Sequence, residues 1–179
     1  MVNAGHIKDA DEYIQNMLND SIGMEKDEIS RTGNIVVDSL VNHKYALALK
    51  NNIQFETRVF IPSVLPFQNG HLAIIFGNLL ENALEACQKL PEEQQYILLE
   101  ATYTKEMLQI CIKNSCQLKQ KRDSNGRYLT TKEDASCHGI GLVSVEQALA
   151  EYDGELFIEN ERGKFRVSAV LYGNSIREK

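Results

Sequence analysis

The residue types and spacing of one segment near the middle of the chain suit metal and phosphate chemistry. The segment reads Asn78-Leu79-Leu80-Glu81-Asn82-Ala83-Leu84-Glu85-Ala86, with Asn78, Asn82 and Glu85 at i, i+4 and i+7. On a helix those three share one face, and Leu79, Leu80, Ala83 and Ala86 are left for the core. Asparagine is a mediocre helix former, because its amide competes for backbone hydrogen bonds. Two of them stacked mid-helix therefore ask for a reason. Their amide oxygens suit a hard cation such as Mg²⁺, which takes oxygen ligands and keeps phosphate and water partners. A solvated polar stripe is the competing account of the same spacing.

A second cluster, His138-Gly139-Ile140-Gly141-Leu142, stands directly before a segment of helical periodicity. Glycines let backbone N–H groups approach a ligand closely, and a helix N-terminus adds unpaired donors and positive dipole. That combination suits a phosphate group, although an ordinary tight loop has the same composition. Upstream lies Lys132, within Thr131-Lys132-Glu133-Asp134. It is either a phosphate contact or a solvated loop lysine.

The elements that must position these residues follow from periodicity. Residues 8–20 carry an apolar stripe of Ala10, Tyr13, Ile14, Met17 and Leu18, which predicts a helix. Residues 21–33 are polar, contain two glycines and read as a linker. Asn34 is an N-cap candidate for a helix reaching about residue 50. Alternation over 53–61 predicts a strand closed by Pro62 and Pro66. The asparagine-bearing helix spans about 70–89 and is stopped by Pro91. Strands at 96–104 and 108–114 form an antiparallel hairpin about a short polar turn. Residues 115–138 are polar and without period, as a functional lid would be. A helix over 141–151 and a hairpin of strands 156–161 and 164–172 complete the chain. The order predicts a two-layer α/β sandwich, its sheet mixed and mostly antiparallel, with helices on one face.

Composition narrows the function. The chain has 179 residues and a net charge of −6, enough for one domain with a core and without the basic surface that nucleic acid demands. A bound anion must then be held locally. Apolar runs are far too short to span a bilayer, and the first residues lack a signal-peptide pattern. Cys87, Cys111, Cys116 and Cys137 show no C-x-x-C spacing, so reduced thiols are favoured over a Cys116, Cys137, His138 metal cluster.

Taken together, these motifs resemble the nucleotide-binding domain shared by gyrase, a class of chaperones, histidine kinases and mismatch-repair proteins, known as the GHKL or Bergerat fold. Asn78-Leu-Leu-Glu-Asn82-Ala is similar to its asparagine box and His138-Gly-Ile-Gly-Leu to its second glycine box, and the likeness covers roughly 34–172. Tyr152-Asp-Gly-Glu-Leu, Gly163-Lys-Phe-Arg-Val, and Thr32-Gly33-Asn34 with Asp38 and Lys44 look like the peptide-quorum-sensing histidine kinases. The resemblance implies ATP and Mg²⁺ as cofactors and a nucleotide-binding domain over 34–174. Residues 1–33 would then be a remnant of a dimerisation helix with its linker, and 175–179 a tail. By the same resemblance Asn82 ligates the Mg²⁺ that bridges the phosphates, with Asn78 in support. Gly139 and Gly141, in the box that His138 opens, donate backbone N–H bonds to phosphate. Lys132 reaches phosphate from the lid, and Asn114 accepts from the adenine amino group. The implied partners are the phosphoacceptor helix of the same kinase, a response regulator and, in the intact kinase, a second copy. The implied place is the cytoplasmic part of a membrane-anchored receptor, with no membrane contact by this segment.

The sequence departs from the family pattern in three places. Asn114 stands in Lys113-Asn114-Ser115-Cys116 where the family carries Asp followed by spaced glycines. Glu85 replaces a basic residue common near the phosphates. No histidine lies in an acceptor-helix pattern, and His6 precedes Ile-Lys-Asp near the terminus. The resemblance points to a kinase that presents the ATP γ-phosphate to a histidine on a helix absent from this chain. The alternatives within the fold are an ATP-hydrolysing switch, a serine kinase that sequesters a sigma factor, and a degenerate domain that docks without nucleotide. The hydrolysing relatives place a catalytic Glu where this chain has Asn78, and an amide cannot accept a proton.

Overall fold

A computed structural model describes residues 28–117, 135–161 and 163–173, with backbone alone at 135–140 and 161. The 8–20 stripe, His6, Lys132 and most of the 115–138 segment lie outside the described residues.

Helix α1, Ile35–Lys50, begins where the sequence places it, because the Asn34 side chain accepts from the Val37 N–H at 3.1 Å. Strand β1, Gln54–Phe60, alternates as expected and leads into helix α2, Asn69–Cys87. A short 3₁₀ turn, Glu92–Gln94, precedes the hairpin of β2, Tyr96–Thr104, and β3, Met107–Ser115. Its two-residue turn puts both Lys105 and Glu106 at positive φ, 51° and 60°, the turn whose twist matches antiparallel strands. Helix α3, Ala135–Ala150, and the hairpin of β4, Glu155–Glu161, and β5, Lys164–Tyr172, follow.

The five strands form one sheet in the order β1-β2-β3-β5-β4. Only β1 with β2 is parallel, and the other three pairs are antiparallel. Alternate residues Ile97, Leu99 and Ala101, Leu108, Ile110 and Ile112, and Val167, Ala169 and Leu171 face the helices and are fully or nearly fully buried. They meet Leu72, Ile75, Phe76, Leu79 and Leu80 of α2. The architecture is the mixed α/β sandwich expected. Among the described residues the other face carries an ion-pair ladder and no helix. There Glu100 lies 2.8 Å from Lys113 and 3.3 Å from Arg58, and the Lys113 ammonium holds its carboxyl below the usual range. Among the described residues no helix is long and apolar enough to cross a membrane.

Helix α2 lies between the other two. On one flank Glu81 pairs with Lys44 of α1, whose side chain is only 4% exposed. On the other flank α2 meets α3. The opening of α2 and the end of α3 are tied together through Tyr152. Its hydroxyl accepts from the Gln68 N–H at 2.9 Å and lies 2.7 Å from His71 Nδ1. Burial lowers the pKa of His71 below the ordinary value, and Glu151 partly opposes that shift.

The Lys44–Glu81 pair supports a stability prediction. Truncating one partner of a fully buried pair costs about 3–5 kcal/mol, but Glu81 is half in water, which screens the loss. Glu81→Ala should therefore cost about 1–2 kcal/mol. Lys44→Met, which removes the buried charge itself, should cost less. Urea denaturation of both variants at neutral pH checks the order. A costlier Lys44→Met would show that the pair is worth more than its desolvation.

Candidate nucleotide site

Asn78 and Asn82 lie one turn apart on the flank of α2 that faces α3, both half-buried. Their amides are used differently. Asn78 Nδ2 donates to the Ile74 carbonyl of its own helix at 2.8 Å, which fixes the amide and turns Oδ1 toward α3. A Cβ placed on Gly141 would stand 3.0 Å from that oxygen. Gly141 thus lacks a side chain because the Asn78 amide occupies the space, and the two motifs are in direct contact. No hydrogen bond to the Asn82 amide is present among the described residues, so its oxygen is uncommitted.

Helix α3 begins earlier than its sequence suggests. Gly139-Ile140-Gly141 lies inside the first two turns of α3, whereas periodicity placed it before the helix. In this wound state the helical bonding pattern uses the Gly139 and Gly141 N–H groups, and the free donors at the N-terminus are those of 135–138. Glycine's weak helix propensity, about 1 kcal/mol, is outweighed here by the close packing of α3 on α2. The side chains of His138 and Cys137 lie outside the described residues.

Asn114 sits near the end of β3 on the helix-covered face and is 3% exposed. Its Nδ2 donates to the Ser115 carbonyl at 2.9 Å, which leaves Oδ1 as the group's acceptor. The same carbonyl lies 3.6 Å from the Cys87 thiol at the end of α2, and that thiol also reaches the Tyr96 carbonyl at 3.3 Å. Burial pushes the Cys87 thiol up to about 11, so it stays a neutral donor. Cys116 is also buried and donates toward Asn160 Oδ1 at 3.7 Å. The register sets Asn114 opposite Phe165, and Phe165 opposite Asn160, so two amides flank a ring on one row of the sheet. Asn160 escaped the sequence reading. The available signal was its place in the alternation of β4, where Leu156 and Ile158 turn toward the core.

The candidate groups therefore gather about the C-terminal half of α2: Gly141 packs on Asn78, Asn82 stands one turn further on, and on the sheet-facing side of the helix Cys87 shares the Ser115 carbonyl with Asn114. From position 78 to 87 the helix rises roughly 13 Å, a span on the scale of a nucleoside triphosphate. Among the described residues no three His, Cys, Asp or Glu side chains converge on a metal position. A cation here would rest on an amide oxygen together with phosphate and water, as Mg²⁺ commonly does.

The fold is that of histidine kinase catalytic domains. The nucleotide-free catalytic domain of the histidine kinase ThkA superposes with a TM-score of 0.62 at 16% identity, over 81% of this chain and 96% of that one. The histidine kinase domain of the Erythrobacter litoralis blue-light-activated kinase gives 0.60 at 12% identity, over 97% and 78%. The Acinetobacter baumannii histidine kinase AdeS gives 0.57 at 11%, over 93% and 76%. A search of curated proteins returned no significant match. The family profile described as GHKL domain matches residues 68–171, more than half of the chain. The chain belongs to the GHKL domain family.

Proposed function

We propose that this domain binds Mg·ATP along α2 and donates the γ-phosphate to a histidine on a dimerisation helix, as the catalytic part of a two-component sensor kinase. The observation that carries the reading is the grouping of three contacts around α2: Gly141 packed on Asn78, the uncommitted amide of Asn82, and, from the neighbouring end of β3, Asn114 with its Oδ1 left as acceptor. Asn114 supplies what the family's Asp supplies, an acceptor for the adenine amino group, without the charge. Asn82 would hold Mg²⁺, and the ion would neutralise the phosphates. Asn78 sets the spacing between α2 and α3. Lys132 is a phosphate contact from the lid, and Gly139 and Gly141 give N–H bonds to phosphate once the opening turns of α3 loosen. In the wound state, 135–138 offer the equivalent donors. The rate enhancement would come from positioning and charge neutralisation rather than a covalent residue.

The same reading makes the domain the cytoplasmic part of a membrane-anchored receptor of the peptide-quorum-sensing subgroup. Its partners would be its own acceptor helix, a response regulator and a second copy of the kinase. An ATPase switch is less well supported. Asn78 takes the position of the hydrolytic Glu, and Glu81, the nearest carboxylate in sequence, is already paired with Lys44 of α1.

Asn82→Ala tests the metal assignment. Its loss of nucleotide affinity should be at least tenfold with magnesium, about 1.4 kcal/mol, and much smaller in a chelator. Calorimetry under both conditions reads the difference. Equal losses would give Asn82 a role unconnected with the ion.

A further inference from the structure

The segment that leads into α1 was read as linker, yet its last residues are bonded to the domain along their whole length. Two side chains one turn apart on one face of α1, Asp38 and Asn42, hold it, and the N-cap Asn34 ties its end to the loop after β1. The Asp38 carboxylate accepts from Ser30 Oγ at 2.7 Å, from the Thr32 N–H at 3.0 Å and Oγ1 at 2.9 Å, and from the Gly33 N–H at 2.9 Å. Asn42 Oδ1 accepts from the N–H groups of Ile29 and Ser30 at 3.0 and 2.9 Å, and its Nδ2 donates to the Ser30 carbonyl at 3.0 Å. Asn34 Nδ2 donates to the Ser63 carbonyl at 3.2 Å, beyond β1, and Thr57 of β1 donates to the Ile29 carbonyl at 3.4 Å. Gly33 takes φ +85°, and a Cβ there would stand 3.1 Å from Ser63 Cβ. The Ser30 side chain is almost wholly buried. So many charge-assisted and bidentate bonds exceed what the start of a helix needs, since the cap itself is a single bond from Val37 to Asn34.

We propose that this clasp makes residues 28–34 part of the rigid domain, and that Asp38 is a positioning residue for phosphoryl transfer to an acceptor helix joined to the domain through that segment. The proposal rests on the kinase function stated above. Placement governs such a transfer, and about 1 Å of misplacement can cost roughly 10²-fold. Released, residues 28–33 would add six residues of slack to the connection between the domain and what precedes it, and the effective concentration of one end of a tether at the other falls as the −3/2 power of its length. Losing the fixed direction of the chain at Gly33 adds to it.

The test uses the kinase with its acceptor-bearing segment joined to this domain. Asp38→Ala should lower kcat for histidine labelling three- to tenfold, while KM for ATP and the Mg·ATP Kd stay within twofold of wild type. Amide exchange at Thr32 and Gly33 should quicken. Thr32→Val removes one donor to Asp38 and the acceptor of the Asn34 N–H while leaving the carboxylate in place, and should move kcat in the same direction by less. Asp38→Asn, which keeps two acceptor oxygen lone pairs in place, should recover part of the rate. Unchanged kcat in Asp38→Ala with faster exchange at Thr32 would overturn the proposal, as would a Kd that rises in parallel with the loss of kcat. A wild type that binds no Mg·ATP would instead overturn the kinase function itself.

Discussion

Incubated with labelled Mg·ATP, the 179-residue chain is expected to acquire no stable label and to release no phosphate above background. Phosphotransfer needs an imidazole at the γ-phosphate. The sequence holds four histidines, His6, His43, His71 and His138, and none is in an acceptor-helix pattern. His71 is in the first turn of α2, eleven residues before Asn82, which is roughly 16 Å along the helix, and it is held at the Tyr152 hydroxyl. Hydrolysis needs a base for water, and Asn78 is an amide whose nitrogen is tied to the Ile74 carbonyl. Glu81 points to α1, where Lys44 neutralises it. Glu85 is the one carboxylate on the face of Asn78 and Asn82. The measurement is phosphate release beside a denaturing gel. Turnover lost in Glu85→Gln would replace the kinase with an ATPase switch, and stable label lost in His6→Ala would place the acceptor on this chain.

A second large effect is expected at the contact between the two motifs. Gly141→Val should destabilise the domain by about 1–3 kcal/mol, the cost of overpacking, and should weaken nucleotide binding at least tenfold. The Asn78 amide cannot simply swing away, because Nδ2 is bonded at 2.8 Å, so α3 must move off α2. The discriminating measurement is a double-mutant cycle in denaturant. Asn78→Ala should relieve much of the Gly141→Val penalty by vacating the space, a coupling expected only between groups in contact. Additive losses would show that the close approach of Gly141 and Asn78 carries no energy.

Where the sequence was legible, local physics was sufficient. Asn34 caps α1 as its side chain predicts, the alternation of β1, β2 and β5 places one face in the core, and Pro91 follows the end of α2. Where it was not, the deciding interaction was long-range. The early start of α3 runs against two glycines and comes from packing on Asn78. Lys44 and Glu81 are 37 positions apart, so periodicity could not pair them. Asp38 was legible as a family mark but not as the centre of a clasp, since that depends on the chain folding back from Ser30 to Gly33. The parallel pairing of β1 with β2 spans a whole helix and leaves no local signal. Within the site, the asparagine stripe and the glycine pair were visible as residue types. The fixing of Asn114 by the Ser115 carbonyl, and the presence of Asn160 on the same row, needed the sheet register.

The central claim is that the groups gathered between α2, α3 and the end of β3 form a nucleotide site, and titration calorimetry with Mg·ATP on the purified chain tests it most directly. The account predicts saturable binding with a Kd between micromolar and millimolar, about −8 to −4 kcal/mol, weakened by Asn114→Ala and by Asn82→Ala. No heat and no thermal shift at millimolar Mg·ATP would contradict it and leave a domain that keeps the GHKL fold without its ligand.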